Sequence, residues 1–485
     1  MSKPAKALTI VLGCDTFPPD INGAARFAER LAAGLAARGH ELHIIAPSVN
    51  NRYGTYREIH DGIPMVVHRL KSYRLPQHKT LRFVWPFTLQ KRTDQLLKAI
   101  APDVVHIQSH VVVGRYLSKS AIEQGVRLIA TNHTMPENLI RYSVLIPKFA
   151  EKLAMKWAWS DAAKILKRAS VITTPTRKAA EILEGNTDIS GVLAVSCGID
   201  AKQFAHVSKV SNDKPRALFV GRLDYEKHIH VLIEAFAAVD PKLGAVLELV
   251  GDGGERESLE RWAQELKVED RVYFRGHVDE VELRRAYERA TVFVMPSIAE
   301  LQSIATMEAM ASGRPVIGAN AAALPHLIHD GDNGYLFEPE DVGALTRHLT
   351  QVFTAKPSEL NRMANASLHL IKSHDIDRTL DIFEKVYRGQ KVGLPETEDN
   401  LPDYTGPIRI QEASLESIRQ AAKAFRDAAQ GLRDGVLERL SDVRGEVVER
   451  FEEIGFEVSS RSARARRSVE RTIAKALERF RRHDR

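Results

Sequence analysis

The chain has 485 residues, of which 44% are hydrophobic and 27% charged, and its formal net charge is +6. That length supports two or three domains with substantial cores. Two isolated cysteines, Cys14 and Cys197, exclude a disulfide framework and a cysteine-built zinc site, which fits a reducing compartment. No apolar run approaches the roughly 18 residues of a membrane span.

Lys3 and Lys6 before ALTIVLGC superficially match a secretory leader. The apolar run is short and Asp15 interrupts it, so a first sheet strand is expected instead. The loop DTFPPDINGAA follows, then a helix to about Arg38, a stop at Gly39 and the strand ELHIIAP, a β-α-β start. No Gly-x-Gly-x-x-Gly stands at the turn, so a dinucleotide site is not expected. Gly23 lies at the entry to the helix. It is either a plain loop glycine or a place where backbone amides approach a diphosphate. MVVHRL, DVVHIQ and RLIATNH read as further strands, the last ending at His133. That histidine is either a satisfied structural residue or one that faces a ligand beyond the strand's carboxyl end. His106 reads as a strand residue, and His110 is left open.

Ile146 to Ser170 places Lys148, Lys152 and Lys156 four residues apart, on one helix face, with Trp157 and Trp159 beside them. An earlier cluster, Arg69, Lys71, Arg74, Lys79, Arg82, Lys91 and Arg92, is interleaved with Phe83, Trp85 and Phe87. Cations among aromatics fit an anionic membrane surface, where each adds roughly 1 kcal/mol. They also fit nucleic acid, or a solvated charged face with tryptophans in the core. VITTP and VLAVSCGID close a first domain expected over residues 1–205. The polar stretch VSKVSNDKP marks a linker, and a second domain is expected over 206–374.

The second domain repeats the strand-turn-helix logic. ALFV delivers Gly221 and Arg222 to a strand end, and Lys227 follows just before an amphipathic helix. Cations there neutralise a diphosphate, or pair with Asp224 and Glu226 on the surface. VLELVGDGG supplies a glycine turn at Gly251, and VYFRGHVDE ends near His277 and Val278. Asp330-Gly331-Asp332 has the spelling of a metal motif but leads into an Asn-Gly turn. TVFVMPS reads as a buried strand, Ser303 as the N-cap of a helix containing Glu308, and PVIGAN as the next strand. Glu300 and Glu308 therefore sit at the carboxyl edge of a parallel sheet, beside free helix amides that favour a phosphate. Two acids next to a phosphate site fit a ligand that carries both hydroxyls and phosphate.

The stretch SIAELQSIATMEAMASGRPV resembles the Glu-x7-Glu motif of retaining glycosyltransferases of family four, which have the GT-B fold. Pro-Ser before Glu300, Glu-Ala-Met-Ala-x-Gly-x-Pro-Val from Glu308, Gly-Arg-Leu-x3-Lys from Gly221 and Asn-His-Thr around His133 match as well. The likeness runs from about Leu8 to about Arg388. It departs at Leu301-Gln302-Ser303, where the family usually has Gly-Phe-Gly or a similar run. The resemblance implies an α/β chain of two Rossmann-like domains facing across a cleft, with a helix over 375–392 crossing back to the first domain. It implies a nucleoside diphosphate sugar donor held by Gly23, Gly221, Arg222, Lys227, Gly251, His277, Val278, Glu300, Ser303, Ile304 and Glu308. It also implies a catalytic set of Glu300, His133, Arg222 and Lys227, with no metal or other cofactor. Arg222 and Lys227 would stabilise the departing phosphate, Glu300 would hold sugar hydroxyls, and Glu308 would hold the ribose or brace the loop.

LPETEDNLPDYTGP reads as a linker, expected over 393–412. From Leu415, apolar residues at steps of three and four predict an amphipathic helical extension over 413–485. From Ser459 it holds ten Lys or Arg against three Asp or Glu, Arg464, Arg466 and Arg467 among them. Such a tail fits a membrane anchor, self-association or packing on the catalytic body. The leading expectation is an enzyme that moves mannose or glucose to a lipid acceptor, cytoplasmic and peripheral at the inner face of the plasma membrane. The alternatives are a soluble polyol or polysaccharide acceptor, and a non-catalytic nucleic-acid-binding or scaffold protein. The intact Arg222, Lys227, Glu300 and Glu308 set argues against the last, and nucleic acid is not expected as a partner.

Overall fold

Two parallel sheets organise the computed structural model, which describes residues 6–20, 22–49, 52–74, 82–86, 89–135, 151–204, 210 and 214–392. All of these lie within one compact unit, Met1–Tyr404. The expected linker and tail, with Arg464, Arg466 and Arg467, lie outside the described residues, as does Lys148.

The first sheet has eight strands. Thr9–Gly13 lies at its middle, paired in parallel with Glu41–Pro47 on one side and Val104–Ile107 on the other. The second sheet has six strands, all parallel, with Arg216–Val220 between Val246–Val250 and Val292–Met295. Every residue of Val292–Met295 is buried, as suits an interior strand covered by helices on both faces. In both sheets the strand order reverses beside the first strand, and the loops at that reversal open side by side at the carboxyl edge. The two-domain α/β architecture expected from the sequence is the one observed.

Four strands were not foreseen: the short antiparallel pair Ser72–Arg74 and Arg82–Val84, and one strand in each large sheet. Gly54–His60 runs antiparallel along the edge of the first sheet and exposes Thr55, Tyr56 and Arg57 in succession, so it lacks the alternation that marks a strand. Gly334–Phe337, which begins at the glycine of the expected Asn-Gly turn, forms the outer strand of the second sheet.

The helix Ile376–Tyr387 starts from the Asp375 cap and buries Leu380, Phe383 and Tyr387 against first-domain residues. The Phe383 ring lies 6.0 Å from Phe27 and 5.1 Å from His106. The Tyr387 hydroxyl lies 2.7 Å from His106 Nδ1, and Arg38 donates to Asp381 at 2.7 Å. Close approach is possible because Gly34 faces Leu380: a Cβ at Gly34 would lie 2.6 Å from Leu380 Cδ1. Among the described residues, no helix is long and apolar enough to cross a membrane.

Candidate active site

The strand order explains how distant residues meet. Arg216–Val220 and Val292–Met295 are neighbours, so the turn after the first and the loop after the second share one edge. Lys227 ends the short helix Tyr225–Lys227, and its Nζ donates to Glu300 Oε1 at 2.5 Å. Both side chains are largely buried. Ser297 Oγ and the Ile298 amide donate to the Glu226 carbonyl, each at 3.2 Å, which ties the two loops together a second time.

Ser303 caps the helix Ile304–Ala311, its hydroxyl accepting from the Thr306 amide. The first-turn amides of Ile304 and Ala305 have no intrahelical acceptor and face the positive end of the helix. Gly23 opens the helix Gly23–Ala37 behind the Asn22 cap. A Cβ there would meet only Ile304 Cδ1, at 3.8 Å, so two helix starts, one from each domain, face each other across a narrow gap. That pairing of amide-rich ends is suited to an anion.

Arg222 donates to Asp224 and, at 2.9 Å, to Glu226, so the surface pairing weighed from the sequence is present. A diphosphate at this edge has to compete with those carboxylates for the guanidinium. Gly251, at φ +129°, lies against the Gly221 carbonyl, and a Cβ would sit 1.9 Å from that oxygen. Only glycine permits this contact between the two turns. His277 is exposed and Val278 half-buried in the turn that leads to the helix Glu280–Arg289.

Glu308 faces the first domain. Its Oε1 accepts from Arg30 Nη2 at 2.6 Å and its Oε2 from the Tyr287 hydroxyl at 3.1 Å. Burial, and then the Glu308 charge, push the Tyr287 phenol well above its ordinary value, so it remains a donor. The other terminal nitrogen of Arg30, Nη1, is buried without a hydrogen-bond partner. Arg26, one turn earlier, donates to Glu280 at 2.6 Å across the same gap. His133 follows the strand Arg127–Thr131; its Nε2 lies 3.1 Å from Gln108 Oε1 and its ring 4.9 Å from Phe27. Burial pushes its imidazole down to about 4, so at neutral pH it is uncharged and acts through hydrogen bonds.

The departure at Leu301-Gln302 joins the domains. The Leu301 carbonyl accepts from Thr176 Oγ1 at 2.9 Å. Gln302 Oε1 accepts from the Cys197 amide at 2.7 Å, and its Nε2 donates to Ser196 Oγ at 3.1 Å. Arg30, Tyr287 and Gln302 are the residues that sequence reasoning missed. A signal existed for two of them: Arg26 and Arg30 share a face of a helix whose one other charged residue is Glu29, and Gln302 is polar within a buried motif.

One expected surface residue is corrected. Trp159 is only 3% exposed and belongs to the first domain's core. Residues two apart on a helix point about 200° apart, so Trp157 and Trp159 cannot share a face. Trp157 is 67% exposed on the helix Glu151–Leu166, together with Leu153 and Lys156. The side chain of Lys152 lies outside the described residues.

Two parallel α/β domains that bring their carboxyl edges to one gap define the GT-B class of glycosyl-transferring enzymes. Residues 21–203 match the Glycosyltransferase Family 4 model and residues 200–369 the Glycosyl transferases group 1 model. The chain belongs to this glycosyltransferase family and is a hexosyltransferase. It is 25% identical to the alpha-monoglucosyldiacylglycerol synthase of Acholeplasma laidlawii, over 70% of this chain and 86% of that one. It is 28% identical to a GDP-mannose-dependent alpha-mannosyltransferase of Mycolicibacterium smegmatis, over 68% of this chain and 84% of that one. The fold matches sucrose-phosphate synthase from Thermosynechococcus elongatus with a TM-score of 0.64 at 20% identity, over 79% of this chain and 98% of that one.

Proposed function

We propose that the protein transfers a mannose or glucose residue, with retention of anomeric configuration, from a nucleoside diphosphate sugar to a lipid acceptor at a membrane surface. The observation that carries this reading is the Lys227–Glu300 contact at the reversal of strand order, on the loop that leads to the helix start at Ile304, which faces Gly23. Without donor the two charges neutralise each other. With donor, the diphosphate takes Lys227 and the sugar hydroxyls take Glu300. The hard event is departure of the diphosphate, as charge grows on its β-phosphate. Lys227, Arg222 and the helix amides stabilise that charge, and no proton need move to do so. Glu300 fixes the anomeric carbon against the acceptor. Attack follows on the face the phosphate leaves, and the phosphate takes the acceptor's proton. Glu308, held by Arg30 and Tyr287, braces the helix that begins at Ile304.

Support for a lipid acceptor comes from the exposed face of the helix Glu151–Leu166, where Leu153, Lys156 and Trp157 stand together. An apolar and aromatic face with a cation fits the headgroup boundary of an anionic bilayer. The names of the two sequence relatives point the same way in part, since one is a synthase of a monoglucosyldiacylglycerol.

Thermal-shift binding of GDP, UDP, GDP-mannose and UDP-glucose tests the donor half through linkage. A rise in Tm with one base alone identifies the donor class, and no rise with any removes it. Co-sedimentation with anionic and neutral vesicles tests the membrane half. Leu153→Ala/Trp157→Ala should lose vesicle binding while keeping turnover on a detergent-solubilised acceptor. Unchanged sedimentation removes the membrane face assigned to this helix.

A further inference from the structure

His228, His230 and Glu340 stand apart from the transfer chemistry. Each offers one ligand atom, and these atoms all lie within 4.8 Å of one another. His228 and His230 begin the helix Ile229–Ala237, and Glu340 lies just before the helix Val342–Phe353. The two helices are tied by Thr346 Oγ1 donating to the Ala235 carbonyl at 3.1 Å. His228 and Glu340 both have φ in the left-handed region, at 49° and 69°. Two non-glycine residues there hold their side chains toward one point.

The contacts are not those of a simple ion pair. His228 is buried, and its Nδ1 lies 2.7 Å from Glu340 Oε1, yet that nitrogen has no hydrogen-bond partner. His230 Nε2 lies 3.9 Å from Glu340 Oε2, beyond hydrogen-bond range. The three side chains thus converge on one point, with the Glu340 carboxylate beside both imidazoles.

We propose that His228, His230 and Glu340 form a binding site for a divalent transition metal of the zinc class. Two imidazoles and one carboxylate are a ligand set zinc accepts, with a fourth position left for water. Glu340 and His230 are partly exposed, which gives the ion and that water a route in. The site's place beside the phosphate-binding edge gives it a role. His228 directly follows Lys227, so a bound ion pins the turn that carries Lys227 and joins the starts of two packed helices. It is not part of the transfer chemistry, for which no metal is invoked. Both helix starts oppose a cation, so the Glu340 charge is indispensable to the site.

The test uses the full-length protein, dialysed against chelator and titrated with Co²⁺ alone while visible absorption is followed. One equivalent should develop the intense d–d bands of low-coordinate cobalt, and Zn²⁺ should bleach them. His230→Ala and Glu340→Ala, which alter partly exposed side chains, should each weaken cobalt binding by at least about tenfold. Their metal-free melting curves serve as the folding control. Absence of the bands in the wild type, or a loss below tenfold in both variants, overturns the site.

Discussion

Lys227 Nζ lies 2.5 Å from Glu300 Oε1, although 73 positions separate the two residues in the chain. The contact joins the two loops on either side of the reversal in the second sheet, where a ligand has to enter. Lys227→Ala removes the cation that meets the departing phosphate. The expected loss is about 10²- to 10³-fold in kcat, read by release of the nucleoside diphosphate. Glu300→Ala should lose about 10²-fold through misplacement of the sugar. Because the two side chains touch, the double variant should lose less than the product of the single losses. Strictly multiplicative losses would mean that the contact has no place in the reaction.

Gln302 is the second lever on the same loop. Gln302→Ala leaves the buried Cys197 amide without its acceptor, which costs about 1–3 kcal/mol. It also frees the segment between Glu300 and Ser303 from Ser196 in the other domain. The Tm should fall, and kcat should fall more than donor affinity, since the phosphate contacts of Lys227 are intact. A lowered Tm with unchanged kcat would confine Gln302 to stability.

Much of this arrangement was legible from local pattern. The strand before Glu300, the Ser303 cap and the glycine stop after the helix Ile304–Ala311 follow from residue chemistry over about twenty positions. Arg30 on Glu308 was not legible, because 278 positions separate them and only the apposition of two domains brings them together. The same holds for Gln302 and Cys197. The edge strand Gly54–His60 escaped for the opposite reason: its partner is next in sequence, but three exposed residues in a row, Thr55 to Arg57, hide the period of two. Trp159 was misplaced because cations and aromatics were counted by proximity in sequence, whereas helical geometry sends Trp157 and Trp159 to opposite sides.

Two helical glycines should respond oppositely to alanine. At Gly185, in the helix Arg177–Asn186, an added Cβ meets nothing within 4 Å. Gly185→Ala should therefore stabilise by about 0.5–1 kcal/mol, through the helix preference for alanine. At Gly34 the same gain is opposed by contact with Leu380, whose methyl carbons would lie 2.6 and 2.9 Å from the new atom. Overpacking there costs about 1–3 kcal/mol, so Gly34→Ala should be destabilising on balance. Urea unfolding of both variants reads the signs. Stabilisation by Gly34→Ala would mean that the returning helix is loosely seated.

Glu248 sets an acid limit on the second domain. Its carboxylate is fully buried on the strand Val246–Val250 and accepts from Arg289, from Arg275 at 2.9 Å and from Arg216 at 3.0 Å. Burial alone would raise its pKa, but the Arg289 guanidinium, then Arg216 and Arg275, outweigh burial and hold it below the ordinary 4.5. A carboxyl depressed in the folded state contributes stability that is fully present above its unfolded value. That stability is lost as pH falls through the lower folded value. Glu248→Gln removes the charge at every pH and leaves three guanidiniums without their shared partner, which should cost about 3 kcal/mol at pH 7. Urea unfolding from pH 7 down to the acid limit should show the wild type converging on the variant as Glu248 protonates. Parallel curves over that range would show that other carboxylates set the acid limit.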